Sequence, residues 1–315
     1  MKSHVRRTGL AASNVEAIEL VTADGRLVRA DACTEPDLFW ALRGGGGSFG
    51  VVTAIELRLF SVTEVYAGQL WWPAESASEV LRAWRDLTQS GPPEEFASAA
   101  GLMRFPAAPD VPGHLRGRSF TIITVSHLGA PAEADALLAP LRALRPVTDS
   151  VQTIPAAELL HLHREPGHPV PSLADWLMLA SLPAEAIDEF AGAFSSEACQ
   201  ALLAVEFVHV GGEMKRARPG NGALAAIDAD YALFAGGMAP TAQAVSAVAS
   251  AVAAAHDAMR PWAARQMYLN LADTHRDPAS FWTLEAYERL RRIKAAVDPG
   301  DLIRANHPVP PAPQR

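Results

Sequence analysis

The chain has 315 residues, of which 49% are hydrophobic and 20% charged, with a formal net charge of -8. That is ordinary globular composition, enough for one large domain or two of usual size. No basic stripe interleaves with aromatics, which argues against a nucleic-acid partner, and no apolar stretch is long enough to span a membrane.

The N-terminus, Met1 to Arg7, is basic but no apolar run follows it, so no signal peptide is expected. Cys33 and Cys199 form neither a disulfide framework nor a metal-ligand spacing, which fits two free thiols in a reducing, cytoplasmic compartment. Val15 to Thr22 alternates as a strand, Asp24-Gly25 signals a hairpin, and Leu27 to Ala30 returns. Thr34 reads as an N-cap, Leu38, Ala41 and Leu42 have helical spacing, and Gly44 closes the helix. Phe49 to Leu59 is β-rich, with Ile55, Leu57 and Leu59 opposed by Glu56 and Arg58.

The middle of the chain alternates strands and helices. Strands are expected at 66–72, 119–127, 201–210 and 231–235, and helices at 77–87, 132–144, 182–193 and 241–259. Grouped helices between strands predict a sheet covered on one face. The stretch 161–171, with His161, His163, Glu165 and His168 among prolines, reads as a loop rather than a metal site. Glu206 and His209 fall on opposite strand faces, so at most one enters a substrate cavity. Trp40, Trp71 and Trp72 read as core or interface aromatics. A short strand is expected at 266–271, which puts Tyr268 and Asn270 on one face; Asp273 reads as an acceptor for backbone N–H groups. Asp277-Pro278 opens a helix whose apolar stripe is Phe281, Leu284, Tyr287, Leu290, Ile293 and Val297, stopped by Asp298-Pro299-Gly300.

The most informative run is Leu42-Arg43-Gly44-Gly45-Gly46-Gly47-Ser48-Phe49-Gly50-Val51-Val52-Thr53. Four consecutive glycines leave backbone N–H groups that a ligand can approach closely. Taken alone, the run is also what a flexible helix-to-strand turn looks like. It lacks the Lys-Ser/Thr ending of an ATP-binding P-loop.

Four blocks together resemble the FAD-linked oxidases of the berberine-bridge-enzyme-like branch of the vanillyl-alcohol-oxidase family. They are Arg7 to Val15 with the Asp24-Gly25 hairpin; Pro36 to Arg43 with the glycine run and Val51-Val52-Thr53; Tyr268-Leu269-Asn270 with Asp273; and Tyr287 to Leu290 through Lys294, Asp298-Pro299 and Asn306. The resemblance implies an α+β fold: a partial PCMH-type FAD-binding domain plus a substrate domain with a large antiparallel sheet covered by helices. Residues 1–63 would be the second FAD-binding subdomain, 64–263 the substrate domain, and 264–315 the return segment to the FAD domain. It implies FAD as cofactor, with Gly46, Gly47, Ser48, Gly50, Val51 and Val52 toward the adenosine end and Tyr268 and Asn270 facing the flavin ring.

The implied activity removes a hydride from an alcohol or amine carbon to flavin N5, with Tyr268 as the candidate catalytic side chain and O2 as acceptor. Two departures stand out. The N-terminal subdomain, which would carry the pyrophosphate cradle and the flavin-attaching histidine, has no counterpart here, so a partner chain supplying it is one expectation. Leu271 stands where many relatives have a tyrosine base, and a leucine accepts no proton. The alternatives are a non-catalytic remnant, a partner-dependent subunit, or a small-molecule binding domain. No metal is expected, and the partners expected are a small-molecule substrate and O2, without nucleic acid or membrane.

Overall fold

The computed structural model describes residues 4–109, 111–162 and 169–313. In chain order its main elements are α1 (Val5–Thr8), β1 (Val15–Val21), β2 (Leu27–Asp31), α2 (Pro36–Leu42), β3 (Val51–Leu57), β4 (Glu64–Pro73), α3 (Ala77–Gln89), β5 (Phe96–Arg104), β6 (Ser119–His127), α4 (Pro131–Ala143), β7 (Thr148–Asp149), β8 (Gln152–Pro155), β9 (Ser172–Leu179), α5 (Ala184–Ser195), β10 (Ala204–His209), β11 (Tyr231–Met238), α6 (Ala242–Met259) and α7 (Leu284–Val297). No helix among the described residues is long and apolar enough to cross a membrane.

The chain divides into two compact units. The first comprises Met1–Arg7, Val62–Gly211 and Ala229–Ala264; the second comprises Thr8–Ser61, Gly212–Asp228 and Arg265–Arg315. The sequence reading draws its boundaries at 63/64 and 263/264; in the structure residues 212–228 fall within the second compact unit.

The first unit is an eight-stranded antiparallel sheet of order β7-β4-β6-β5-β10-β11-β9, with β8 paired to β4. Its core lies on one face, where Leu70, Trp72, Ile123, Val205, Phe207 and Leu233 pack with Leu81, Trp84, Leu138, Ile187, Phe190, Val252 and Met259 of the helices. Burial of this many large apolar side chains, each worth about 1.5–3 kcal/mol, holds the helices to the sheet. Two polar contacts sit within that core: Trp84 Nε1 donates to Ser98 Oγ at 3.0 Å, and the Thr88 and Tyr231 hydroxyls meet at 2.7 Å. The opposite, helix-free face carries a smaller cluster of Trp71, Leu115, Phe120 and Ile122.

Four strands escape the sequence reading: the short β7 and β8, and the long β5 and β9. β5 is Phe-Ala-Ser-Ala-Ala-Gly-Leu-Met-Arg, which lacks β-branched residues, and β9 is rich in Leu and Met; both carry weak strand propensity. They form because neighbouring strands pair with them along their whole length.

The second unit holds the three-stranded antiparallel sheet β2-β1-β3. The hairpin turn has Gly25 at φ 82°, as Asp-Gly predicts. Register shifts between Val15 and Ala17 and between Glu19 and Leu20 interrupt the alternation expected for β1, so Ala17 and Ile18 are both buried. Thr34 is not the N-cap of α2. That helix starts at Pro36 after Glu35, whose φ is 51°, while the Thr34 N–H is taken by Asp31 Oδ1 at 2.7 Å.

Three corrections fall in the C-terminal part. Residues 266–271 are not a strand; Leu269–Leu271 forms a 3-10 turn. Asp277 caps only the short turn Pro278–Ser280, accepting from Ala279 N at 2.9 Å. The long helix begins at Leu284 with Thr283 as cap, so Phe281 lies outside the helical stripe, fully buried nonetheless.

Candidate functional site

The glycine run is shaped by what closes around it. Gly44, at φ 93°, ends α2 in a left-handed conformation that a side chain resists. Gly45 donates its N–H to Ala41 O at 2.9 Å, which draws the backbone so close that a Cβ there would stand 2.2 Å from that same oxygen. These two glycines are therefore packing devices. A Cβ on Gly46 would approach only Leu269 Cδ2 at 3.3 Å, and one on Gly47 only Ala305 Cβ at 3.5 Å. Gly46 and Gly47 thus leave bare backbone with room beside it, the feature a bound cofactor would use.

Ser48 is different. It is buried, and its Oγ accepts from Val309 N at 3.0 Å. Its carbonyl accepts from Lys294 Nζ at 2.8 Å. The side chain expected to touch a cofactor is committed to holding the C-terminal segment. Beyond it, Val51, Val52, Ile55 and Leu57 of the edge strand β3 are all exposed.

Lys294 is the hub that the sequence reading leaves without a role. It is fully buried on α7, and its ammonium donates to Ser48 O, to Asp298 Oδ2 at 2.5 Å and to Ile303 O at 2.7 Å. Asp298 in turn accepts from Leu302 N at 3.0 Å and Ile303 N at 2.8 Å. Burial pushes the Asp298 carboxyl up, but Lys294 and the two backbone N–H groups outweigh it and hold it below the usual range. Trp282 Nε1 adds a third tether, donating to Gly44 O at 2.9 Å. The i, i+4 spacing of Lys294 and Asp298 before Pro299-Gly300 was the available signal; that both are buried was not legible.

Tyr268 and Asn270 do not share a face. The turn at Leu269–Leu271 leaves Tyr268 buried and Asn270 exposed. Burial raises the Tyr268 phenol pKa, so at neutral pH it keeps its proton. His307, also buried, packs against Phe281 with ring centroids 4.8 Å apart, its Nε2 lying 3.0 Å from Ala272 O.

In the first unit the register separates Glu206 and His209 as expected. His209 turns to the helix-covered side, stacks on Tyr231 with centroids 5.5 Å apart and meets Arg6 Nη1 at 2.8 Å. Burial and the Arg6 charge push its pKa down to about 3, so it is a neutral packing residue. Glu206 lies on the helix-free face, opposite Phe234 of β11 and Gly101 of β5. Trp71 and Trp72 are both buried, on opposite sheet faces, as the core reading expects; Trp40 lies under the Arg289 guanidinium at 4.0 Å. Among the described residues no group of three or more His, Cys, Asp or Glu could hold a metal, and His163, Glu165 and His168 lie outside those residues.

Residues 267–310 match the family model described as berberine and berberine-like. Along 314 residues the chain is 25% identical to an FAD-linked oxidoreductase, aurO, of Gibberella zeae, covering 95% of this chain and 58% of that protein. It is 33% identical over 168 residues to (R)-6-hydroxynicotine oxidase of Paenarthrobacter nicotinovorans, covering 50% of this chain and 33% of that one. The fold matches wild-type BBE-like 1 of Physcomitrella patens with a TM-score of 0.82 at 18% identity, over 99% of this chain and 68% of that one. It matches 6-hydroxy-D-nicotine oxidase of Arthrobacter nicotinovorans with a TM-score of 0.79 at 24% identity, over 98% and 68%. The chain thus spans about three fifths of the curated relative that it matches almost throughout.

Proposed function

Because this chain carries a berberine-like domain and has the fold of the berberine-bridge-like FAD oxidases, we infer that it serves an FAD-dependent oxidoreductase acting on a small molecule. One observation carries the reading: the C-terminal berberine-like segment grips the glycine loop at three points, through Lys294, Val309 and Trp282. Those tethers fix Gly44 and Ser48 and leave the two glycines between them open. A rigid loop with bare, accessible N–H groups is what a dinucleotide's adenosine end requires.

The residues present fit that cofactor at the level of backbone. Gly46, Gly47, Gly50, Val51 and Val52 would hold it, with the exposed Asn270 amide as a further polar contact. When bound, FAD would supply the acceptor for a hydride leaving an alcohol or amine carbon, with O2 as final oxidant. This chain's own part is to bind, orient and exclude water. Tyr268, protonated and buried, shapes the site rather than accepting the substrate proton, and Leu271 offers no base.

Strand β3 belongs to the same reading. Val51, Ile55, Leu57, Leu59 and Phe60 are each between 48% and 86% exposed, an apolar surface that a working protein covers. We assign it to the polypeptide, in the same chain or another, that supplies the pyrophosphate cradle. A purely non-catalytic binding domain is the second reading, favoured by the absence of a base at Leu271.

The visible spectrum of the purified chain, taken before and after adding FAD, tests the proposal. Co-eluting bands near ~370 and ~450 nm, which the oxidised flavin brings with it, support the reading. A colourless chain indifferent to FAD, alone and with a flavin-domain partner, rejects it. Tyr268→Phe is expected to lower turnover by less than about tenfold, because a side chain that carries the proton would cost roughly 10²–10⁴-fold. Steady-state kinetics on the flavin-loaded variant decide the point, and a drop in the larger range would restore Tyr268 as the proton carrier.

A further inference from the structure

We propose that His307 is a positioning residue for the cofactor site: it ties together the two segments that flank Gly46 and Gly47, and so sets the gap that the dinucleotide's adenosine end would enter. This rests on the oxidoreductase reading and deepens it, by naming the side chain that keeps the bare glycines usable.

The two glycines are flanked from two directions. Leu269 Cδ2 stands 3.3 Å from where a Cβ on Gly46 would lie, and Ala305 Cβ stands 3.5 Å from where one on Gly47 would lie. Both flanking residues are half-buried. Neither belongs to a sheet or a long helix: Leu269 opens the short turn Leu269–Leu271, and 303–310 is irregular. The bonds within the turn, Leu271 N to Tyr268 O at 2.9 Å and Ala272 N to Leu269 O at 3.2 Å, close it on itself and fix it to nothing else. Irregular backbone of this kind keeps its place through bonds to its neighbours.

The C-terminal wall is anchored on both sides of His307. Ile303 O accepts from Lys294 Nζ at 2.7 Å, and Val309 N donates to Ser48 Oγ at 3.0 Å. Between these anchors, His307 Nε2 reaches Ala272 O at 3.0 Å. A carbonyl only accepts, so Nε2 carries the hydrogen. The ring is buried against Phe281, itself fully buried, and such packing restricts its rotation. The anchored segment thereby passes its position to the turn, and with it the spacing between Leu269 and Ala305.

Two substitutions separate this tie from simple packing. His307→Gln keeps an N–H donor and gives up the ring; His307→Phe keeps a ring and gives up the donor. A packing role alone makes the Gln variant the worse one in every measurement. The tie predicts the opposite order in two readings on the full chain. FAD affinity, followed by flavin fluorescence, should fall by about three- to tenfold in His307→Phe and stay within about twofold of the parent in His307→Gln. Amide exchange at Leu271 and Ala272, read by NMR without FAD, should quicken in the Phe variant and hold near the parent rate in the Gln variant. A Phe variant that matches the parent in either reading, or a Gln variant that loses as much as the Phe variant, overturns the proposal. FAD uptake that ignores the donor sinks this inference alone. A parent that takes up no FAD, while exchange follows the donor, sinks the oxidoreductase reading and leaves the tie standing.

Discussion

Lys294→Met is expected to cost the folded chain about 3–5 kcal/mol, the range for removing one member of a buried ion pair. The lysine is 0% exposed and Asp298 1% exposed, so the substitution strands a carboxylate where water cannot reach it. It also leaves the carbonyls of Ser48 and Ile303 without their ammonium donor. Urea unfolding of the purified chain measures the loss. The double variant Lys294→Met with Asp298→Asn should recover part of it, since the stranded charge is then gone. A single variant as stable as the parent would show that the pair carries no such weight.

The same pair sets an acid limit. Asp298 has its pKa lowered in the folded chain, so the folded state holds fewer protons than the unfolded one below the ordinary carboxylate value of about 3.9. Its contribution is fully present above that value and is lost as pH falls through the lowered one. The urea midpoint of the parent should therefore drop in that acid window by more than that of the double variant.

Gly45→Ala is expected to destabilise the loop by about 1–3 kcal/mol, the cost of forcing an extra methyl into a filled position. The new Cβ would stand 2.2 Å from Ala41 O and 2.6 Å from Leu290 Cδ2, so either the α2 terminus or α7 must shift. Gly47→Ala is the paired control. Its Cβ meets only Ala305 at an ordinary 3.5 Å, so stability should stay within about 0.5 kcal/mol of the parent. If Gly47 faces the cofactor, that variant loses flavin uptake while keeping its unfolding midpoint. A Gly47→Ala chain that takes up FAD like the parent removes Gly47 from the site.

Much of the fold was legible. Strong local signals survive in the structure: the Asp-Gly hairpin, the helix end at Gly44, the Thr241 cap that accepts from Ala244 N, and β6 at Ser119–His127. The misses share one cause. β5 and β9 have weak local propensity and exist through their neighbours, while 266–271 alternates like a strand yet has no partner strand to pair with. Thr34 is a good capping residue in isolation, but the helix starts at Pro36, so Glu35 and not Thr34 occupies the cap position. The site was legible as a run of four glycines, not as two glycines for packing and two for access.

By itself the sequence determined residue chemistry and local geometry: where the backbone is bare, where helices stop, which strand faces are apolar, and that Leu271 holds no proton. Those follow from propensity, period and side-chain type, which act over a few residues. Only the tertiary structure decided which polar groups are consumed internally and which stay available. Ser48 is spent on Val309 and Lys294, while Tyr268 is buried and Asn270 exposed. Those outcomes depend on partners far away in the chain, and burial is a property of the packed assembly that no single stretch of residues contains.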